Sequence, residues 1–223
     1  MNLVIDIGNS LTKLAVFDQN RLVDSVQLED FDKEVILRFK KHYPDLNKAI
    51  LSSVTKHDST LFQLLQKEFS YFLELSTTTP VPIKNNYRSK ATLGLDRLAA
   101  AVGAAGLFPN KDLLIIDAGT AITYDIVDKK EGFMGGNISP GLRTRFRSLH
   151  QFTGKLPLLT PIDTWPDIGT TTEEAIQSGV LTGILSEVES VIDKMKSKWP
   201  ELTITVTGGD SEFFDKKLKS SIF

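Results

Sequence analysis

The sequence predicts an α/β protein of two successive domains, residues 1–110 and 111–223, each a mixed β-sheet flanked by helices. Three observations predict it. A meander of short strands opens the chain, and a similar one opens again near residue 113. Helix, strand, helix and strand patterns follow the first meander in that order. The length of 223 residues suits two domains of roughly 100 residues each better than one small core.

Residues 2–5 are a β-prone run ending at Asp6, Gly8 and Asn9 supply a turn, and residues 12–17 read as the returning strand. After a turn at 18–20, residues 21–28 alternate well enough for a third strand. Phe31, Val35, Ile36 and Phe39 then recur at helical spacing, residues 49–54 read as a strand, Leu61, Leu64, Leu65 and Phe69 mark a second helix, and residues 71–75 a further strand. Such an order matches the ribonuclease-H-like fold. A polar, proline-bearing loop spans 76–89, and an alanine-rich helix follows at about 95–107.

In the second half, residues 113–116 are a fully apolar strand ending at Asp117, Gly119 turns the chain, 122–127 return, and 129–132 turn into Phe133 and Met134. Gly135-Gly136 and Pro140-Gly141 bracket what reads as a structural bend. Asp125 reads as a solvated strand-end aspartate, with a place beside a cation as the alternative. Pro157, Pro161 and Pro166 punctuate a long irregular stretch. Helical periodicity over 173–198, a strand at 203–207 and a short terminal helix complete the chain, and Thr172 looks like the cap of the long helix.

Composition excludes several function classes. Net charge is −2, with 26 basic and 28 acidic residues interleaved, so no electrostatic footprint for nucleic acid or an anionic membrane is present. The chain has no cysteine, which removes disulfides, thiolate zinc sites and a cysteine nucleophile together. His42, His57 and His150 share no ligand spacing and read as ordinary surface or packing residues. With no leader pattern and no apolar run long enough to span a bilayer, the expectation is a cytoplasmic protein with a small-molecule partner.

The chemistry-bearing feature is a repeated loop. Residues Asp6, Ile7, Gly8, Asn9, Ser10, Leu11 and Thr12 share the pattern D-x-G-x-[S/T]-x-T with 117–123, each after an apolar strand. Glycine leaves backbone N–H groups open to a phosphate, the hydroxyls can donate to phosphate oxygens, and the aspartate can hold a cation directly or through water. Lys13 adds a point charge to the cradle. Taken alone, either loop is equally a hairpin in which the aspartate stabilises its own turn. Two in equivalent positions point to a clamp on a nucleoside triphosphate.

The paired loops resemble the phosphate motifs of the superfamily of acetate kinase, sugar kinases, the 70-kilodalton heat-shock ATPases and actin. Within it, residues 6–10 with Lys13, 94–97 (Gly94, Leu95, Asp96, Arg97), 117–123, 135–141, 172–176 and 207–210 are similar in order and spacing to the type III pantothenate kinases. The resemblance implies an actin-like ATPase fold with a central nucleotide cleft, and ATP-dependent phosphorylation of pantothenate in coenzyme A biosynthesis. It implies Asp96 as general base, Tyr87, Gly94, Leu95, Asp96, Arg97 and Thr172 as pantothenate contacts, and residues 6–13 with Thr120 as ATP contacts. Arg97 could hold the pantothenate carboxylate in a bidentate fork. A monovalent cation, K⁺ or NH₄⁺, is implied at Asp117, hydrated Mg²⁺ at Asp6, and a homodimer in which Thr172 reaches the partner's substrate. Residues 207–209 are expected near adenine and ribose. Ser10 stands where the family often has threonine, which keeps the hydroxyl, and relatives usually continue past residue 223 through another short apolar segment.

Two other readings remain open on the sequence. Another small-alcohol or sugar kinase of the same superfamily fits the loops, although the missing cysteines argue against the branch with a cysteine-rich zinc motif. A non-catalytic nucleotide-binding regulator also fits, although no basic patch is there for DNA.

Overall fold

A computed structural model describes residues 1–8, 11–53 and 59–223, in two compact units. The first comprises Met1–Pro80 and Ala91–Asp96, the second Val81–Lys90 and Arg97–Phe223.

In the first unit β1 (Asn2–Ile7), β2 (Thr12–Asp18) and β3 (Arg21–Leu28) form the expected antiparallel meander. β4 (Lys48–Ser53) and β5 (Tyr71–Glu74) add in parallel on the far side of β1, giving the order β3-β2-β1-β4-β5. Residue 54, expected to end β4, lies outside the described residues. Leu3, Ile5, Leu14, Val16, Ala49 and Leu51 alternate onto one face, where they bury Val35 and Ile36 of α1 (Glu34–His42) and Leu61 and Leu65 of α2 (Ser59–Glu68). Each such aliphatic side chain contributes about 1.5–3 kcal/mol by leaving water. The period of two then sends the intervening residues Asp6, Lys13 and Ser52 to the opposite face, in one row across three strands.

The second unit repeats the plan. β6 (Leu113–Ala118), β7 (Ala121–Asp128) and β8 (Gly132–Pro140) form an antiparallel meander, and β9 (Thr203–Thr207) joins parallel to β6, in the order β8-β7-β6-β9. Phe223 exchanges backbone hydrogen bonds with Ile204 and Val206 on the outer side of β9. One face, carrying Leu114, Ile116, Tyr124, Ile126 and Ile204, is covered by α4 (Leu142–Phe152), α5 (Thr172–Lys196) and α6 (Ser211–Lys217). The strand order and covered face of both sheets are those of a ribonuclease-H-like pair, as the sequence predicts.

Four expectations are corrected. The units do not divide at residue 110: residues 84–86 bond to β8 through Asn86 N–H and Phe133 N–H, and Arg97 is bound to β7. α3 (Leu95–Leu107) therefore starts in the first unit and continues in the second. The corner read at Gly135 and Gly136 is a bulge within β8 rather than its end: the register shifts opposite Ile126 and Val127, Gly135 has φ 105°, and the strand runs on to Pro140. α4 occupies the start of the stretch read as irregular, with Leu142, Phe146 and Leu149 on its inner side. Asp125 is neither solvated nor terminal; it is 1% exposed within β7.

Candidate functional site

In the first unit, Asp6 pairs directly with Lys13 on β2 and with Ser52 on β4. Burial pushes the Asp6 carboxyl above the usual range, Lys13 and a hydrogen bond from Ser52 act against that, and the charge of Asp96 adds to it. Asp96 lies exposed in the first turn of α3, where the sequence placed it. Gly94 and Leu95 lead into that turn, Gly94 half-buried just before the helix. Gly8 donates its N–H to the Leu11 carbonyl at 3.0 Å, closing the hairpin. Asn9 and Ser10, both expected to contact ATP, lie outside the described residues, as does His57.

The two loops are not the same length in space. Residues 8–11 connect β1 to β2, whereas 119–120 connect β6 to β7, with Gly119 N–H bonded to the Ala121 carbonyl at 3.0 Å. Lys13 therefore faces Asp6, but Thr123 faces Asp117. Thr12 consequently pairs with Ile7 and is 5% exposed on the side of Leu14 and Val16. Its side chain lies on the core face, opposite to the face of Asp6 and Lys13, and Ile7 likewise packs on the core.

In the second unit Asp117 is half-buried beside Thr123, whose buried hydroxyl has no hydrogen-bond partner among the described residues. Thr120 is exposed, and its carbonyl accepts from Gly141 N–H at 3.0 Å and from the Thr144 hydroxyl at 2.6 Å. Both donors come from the start of α4, whose cap residue Gly141 has no side chain to satisfy the first N–H groups of that helix. Asp210 N–H binds the Ala118 carbonyl at 2.9 Å, which folds the 207–210 turn onto the end of β6.

On the same face of the second sheet, Arg97 donates to Asp125 through Nε (3.0 and 3.1 Å) and Nη2 (2.5 Å). Arg97 is 5% exposed and its guanidinium lies 5.4 Å from the Tyr87 ring centroid. Hydrogen bonding to Asp125 raises the Arg97 pKa against its own desolvation, with further help from the Asp125 charge and from Tyr87. The Tyr87 ring rests near Phe133, 6.1 Å between centroids. Two of the expected substrate residues, Tyr87 and Arg97, are thus brought together.

Thr172 is exposed at the first position of α5, and the cap is its neighbour: Thr171 accepts from Glu174 N–H at 3.2 Å while Glu174 accepts from Thr171 N–H, a capping box. Sequence reasoning missed Ser52, Thr123 as the partner of Asp117, and the pairing of Asp125 with Arg97. Alternation places Ser52 on the Asp6 face once the register is known, but no local pattern gives that register. No group of metal-ligating side chains of the usual kind occurs among the described residues, and no helix among them is long and apolar enough to cross a membrane.

Two mixed sheets of like strand order, each with an aspartate one residue before the end of its first strand and a glycine just after that strand, define an actin-like fold. A solved N-acetylmannosamine kinase-like protein from Listeria monocytogenes shares that fold, with TM-score 0.50 and 13% identity over 99% of this chain and 91% of the other. A Campylobacter jejuni structure described as a Baf family transcriptional activator shares it at TM-score 0.62 and 23% identity, over 99% of this chain and 89% of that one. The family model for type III pantothenate kinase matches residues 2–194. A type III pantothenate kinase from Christiangramia forsetii is 47% identical over 100% of this chain and 92% of its own length. The chain belongs to the type III pantothenate kinase family.

Proposed function

We propose that this chain transfers the terminal phosphoryl group of ATP to the 4′-hydroxyl of pantothenate, forming 4′-phosphopantothenate in the first step of coenzyme A biosynthesis. The observation that carries this reading is the gathering of Asp6, Lys13 and Asp96 in the first unit of a chain of this family. Asp96 orients the hydroxyl and takes its proton; an exposed carboxylate suffices because the proton moves late in a loose phosphoryl transfer. Lys13 holds phosphate oxygens in the first unit, and Thr120 and the uncapped start of α4 are donors of the same kind in the second.

Mg²⁺, when bound, offsets charge developing on the phosphate oxygens. One carboxylate in a polar row, Asp6 beside Ser52, fits an ion that keeps most of its water. Asp117 and the orphaned Thr123 hydroxyl are oxygen donors suited to K⁺ or NH₄⁺. Tyr87 and Arg97 form part of the pantothenate subsite, Arg97 toward the carboxylate. The reading includes a cytoplasmic homodimer in which Thr172 reaches the partner's substrate; its exposure, with the capping done by Thr171, supports that role.

The test is pantothenate-dependent ADP release with Mg²⁺, with and without K⁺, beside a panel of sugars and small alcohols. Turnover confined to pantothenate and stimulated by K⁺ is expected. Turnover on a sugar instead, or tight ATP binding with no acceptor at all, replaces the reading by one of the two alternatives. Light scattering tests the dimer.

A further inference from the structure

Asp125 has no place in the reaction as described, yet the second unit is shaped around it. It projects from the middle of β7, 1% exposed, and takes three hydrogen bonds from Arg97. The opposing residue on β8 is Gly136, where a Cβ would first collide with the Tyr124 backbone carbonyl and would also come within 2.7 Å of the Asp125 carboxylate. Gly135, at φ 105°, leaves its neighbouring space to the Tyr87 ring, 3.1 Å from where a Cβ would stand. The double glycine of β8 thus lets the Tyr124 backbone and the Asp125 carboxylate approach on one side and the ring that lies over Arg97 on the other.

Such an arrangement is a poor device for stability alone. Two charges taken out of water cost about as much as their attraction returns, and an apolar pair of like volume is often at least as stable. What a buried carboxylate does supply is direction. An arginine side chain has several rotatable bonds, and a grip along its Nε and Nη2 edge fixes both the plane and the heading of the guanidinium.

We propose that Asp125 is a positioning residue for substrate recognition: it holds Arg97 in the one orientation that accepts the substrate's carboxylate. The inference rests on the reading of Arg97 as a carboxylate contact. Asp125 touches no reacting atom, so its loss acts on pantothenate affinity rather than on the chemical step or on ATP.

The experiment compares wild type with Asp125→Asn in the full chain, using pantothenate and its analogue with a primary alcohol in place of the carboxylate. Expected is a rise of about tenfold or more in KM for pantothenate, the scale of a misdirected hydrogen bond to a charged group, with KM for ATP nearly unchanged and no comparable rise for the alcohol. Equal rises for pantothenate and ATP, equal rises for pantothenate and the alcohol, or no rise at all would overturn the proposal. If Asp125→Asn does not fold, Arg97→Gln is compared with Arg97→Gln/Asp125→Asn, which leaves no unpaired buried charge. The same pantothenate KM in both supports the proposal, and a further rise in the double variant overturns it. A wild type inactive on pantothenate but active on another acceptor fails the functional reading itself, and this inference with it.

Discussion

Lys13 stands directly opposite Asp6 across β1 and β2, on the sheet face turned away from α1 and α2. In the proposed reaction this ammonium neutralises phosphate oxygens as charge builds on them. Lys13→Met keeps the length and apolar stem of the side chain while removing the charge. It should lower kcat/KM for ATP by about 10²–10³-fold, the range for losing one oxyanion donor, with an unchanged melting curve. Steady-state kinetics against ATP checks it.

Asp96→Asn removes the proposed proton acceptor but keeps a polar side chain of the same shape in the first turn of α3. General-base assistance contributes about 10²–10⁴-fold, so kcat should fall by that much while KM for both substrates stays within a few-fold. Near-normal turnover in the folded variant would remove Asp96 from the mechanism.

Much of this was legible in the sequence because periodicity records burial. Leu3, Ile5, Leu14 and Val16 alternate, Leu61 and Leu65 stand one helical turn apart, and both elements and their inner faces follow from that. The aspartate-ended strands and glycine turns located both loops. What the string could not record is register. Thr12 and Thr123 occupy the same place in the repeated pattern, yet the longer first hairpin turns Thr12 into the core and leaves Thr123 beside Asp117. Asp125 was misread for a similar reason: its partner is 28 residues away, and nothing local distinguishes a paired buried aspartate from a solvated one. α4 was hidden because Arg143, Arg145 and Arg147 interleave its apolar positions, and β8 because glycines usually end strands.

The start of α5 separates a structural threonine from its neighbour. Thr171→Ala removes the hydroxyl that accepts from Glu174 N–H, and should cost about 0.5–2 kcal/mol in urea denaturation. Thr172→Ala, at an exposed first helical position, should cost far less and instead raise KM for pantothenate. Reversal of the two effects would return the cap to Thr172.

Glu187 makes stability depend on acid. Burial disfavours its ionised form, but hydrogen bonds from Arg145, Ser139 and Tyr124 outweigh that and hold the carboxyl below the usual glutamate range. The bonds join α5 to α4 and β7, with Arg145 Nη2 at 2.6 Å and the Tyr124 hydroxyl at 2.8 Å. A carboxyl depressed on folding contributes stability above its unfolded pKa, about 4.3, and loses it as pH falls through the folded value. Glu187→Gln should therefore be less stable than wild type at pH 7, with the gap closing on acidification below about pH 4. Urea midpoints over a pH series read this directly, and a gap that stayed constant would remove the carboxylate's charge from the explanation.

Gly208 and Gly209 look interchangeable in the sequence but differ in what surrounds them. Gly208 has φ 95°, and a Cβ there would fall on the Ala118 carbonyl and 2.5 Å from an Asp117 carboxylate oxygen. At Gly209 a Cβ would meet nothing within 4 Å. Backbone strain of this kind costs about 1–3 kcal/mol before any collision is relieved, and the collision is relieved by moving Asp117 or the end of β6. Gly208→Ala should thus lower the urea midpoint and also raise the K⁺ concentration needed for half-maximal activity, because the carboxylate proposed to hold the cation is displaced. Gly209→Ala should change neither by much. The pairing of the two readouts matters, since a purely local strain would lower stability and leave the K⁺ requirement where it was; that result would detach Asp117 from the cation.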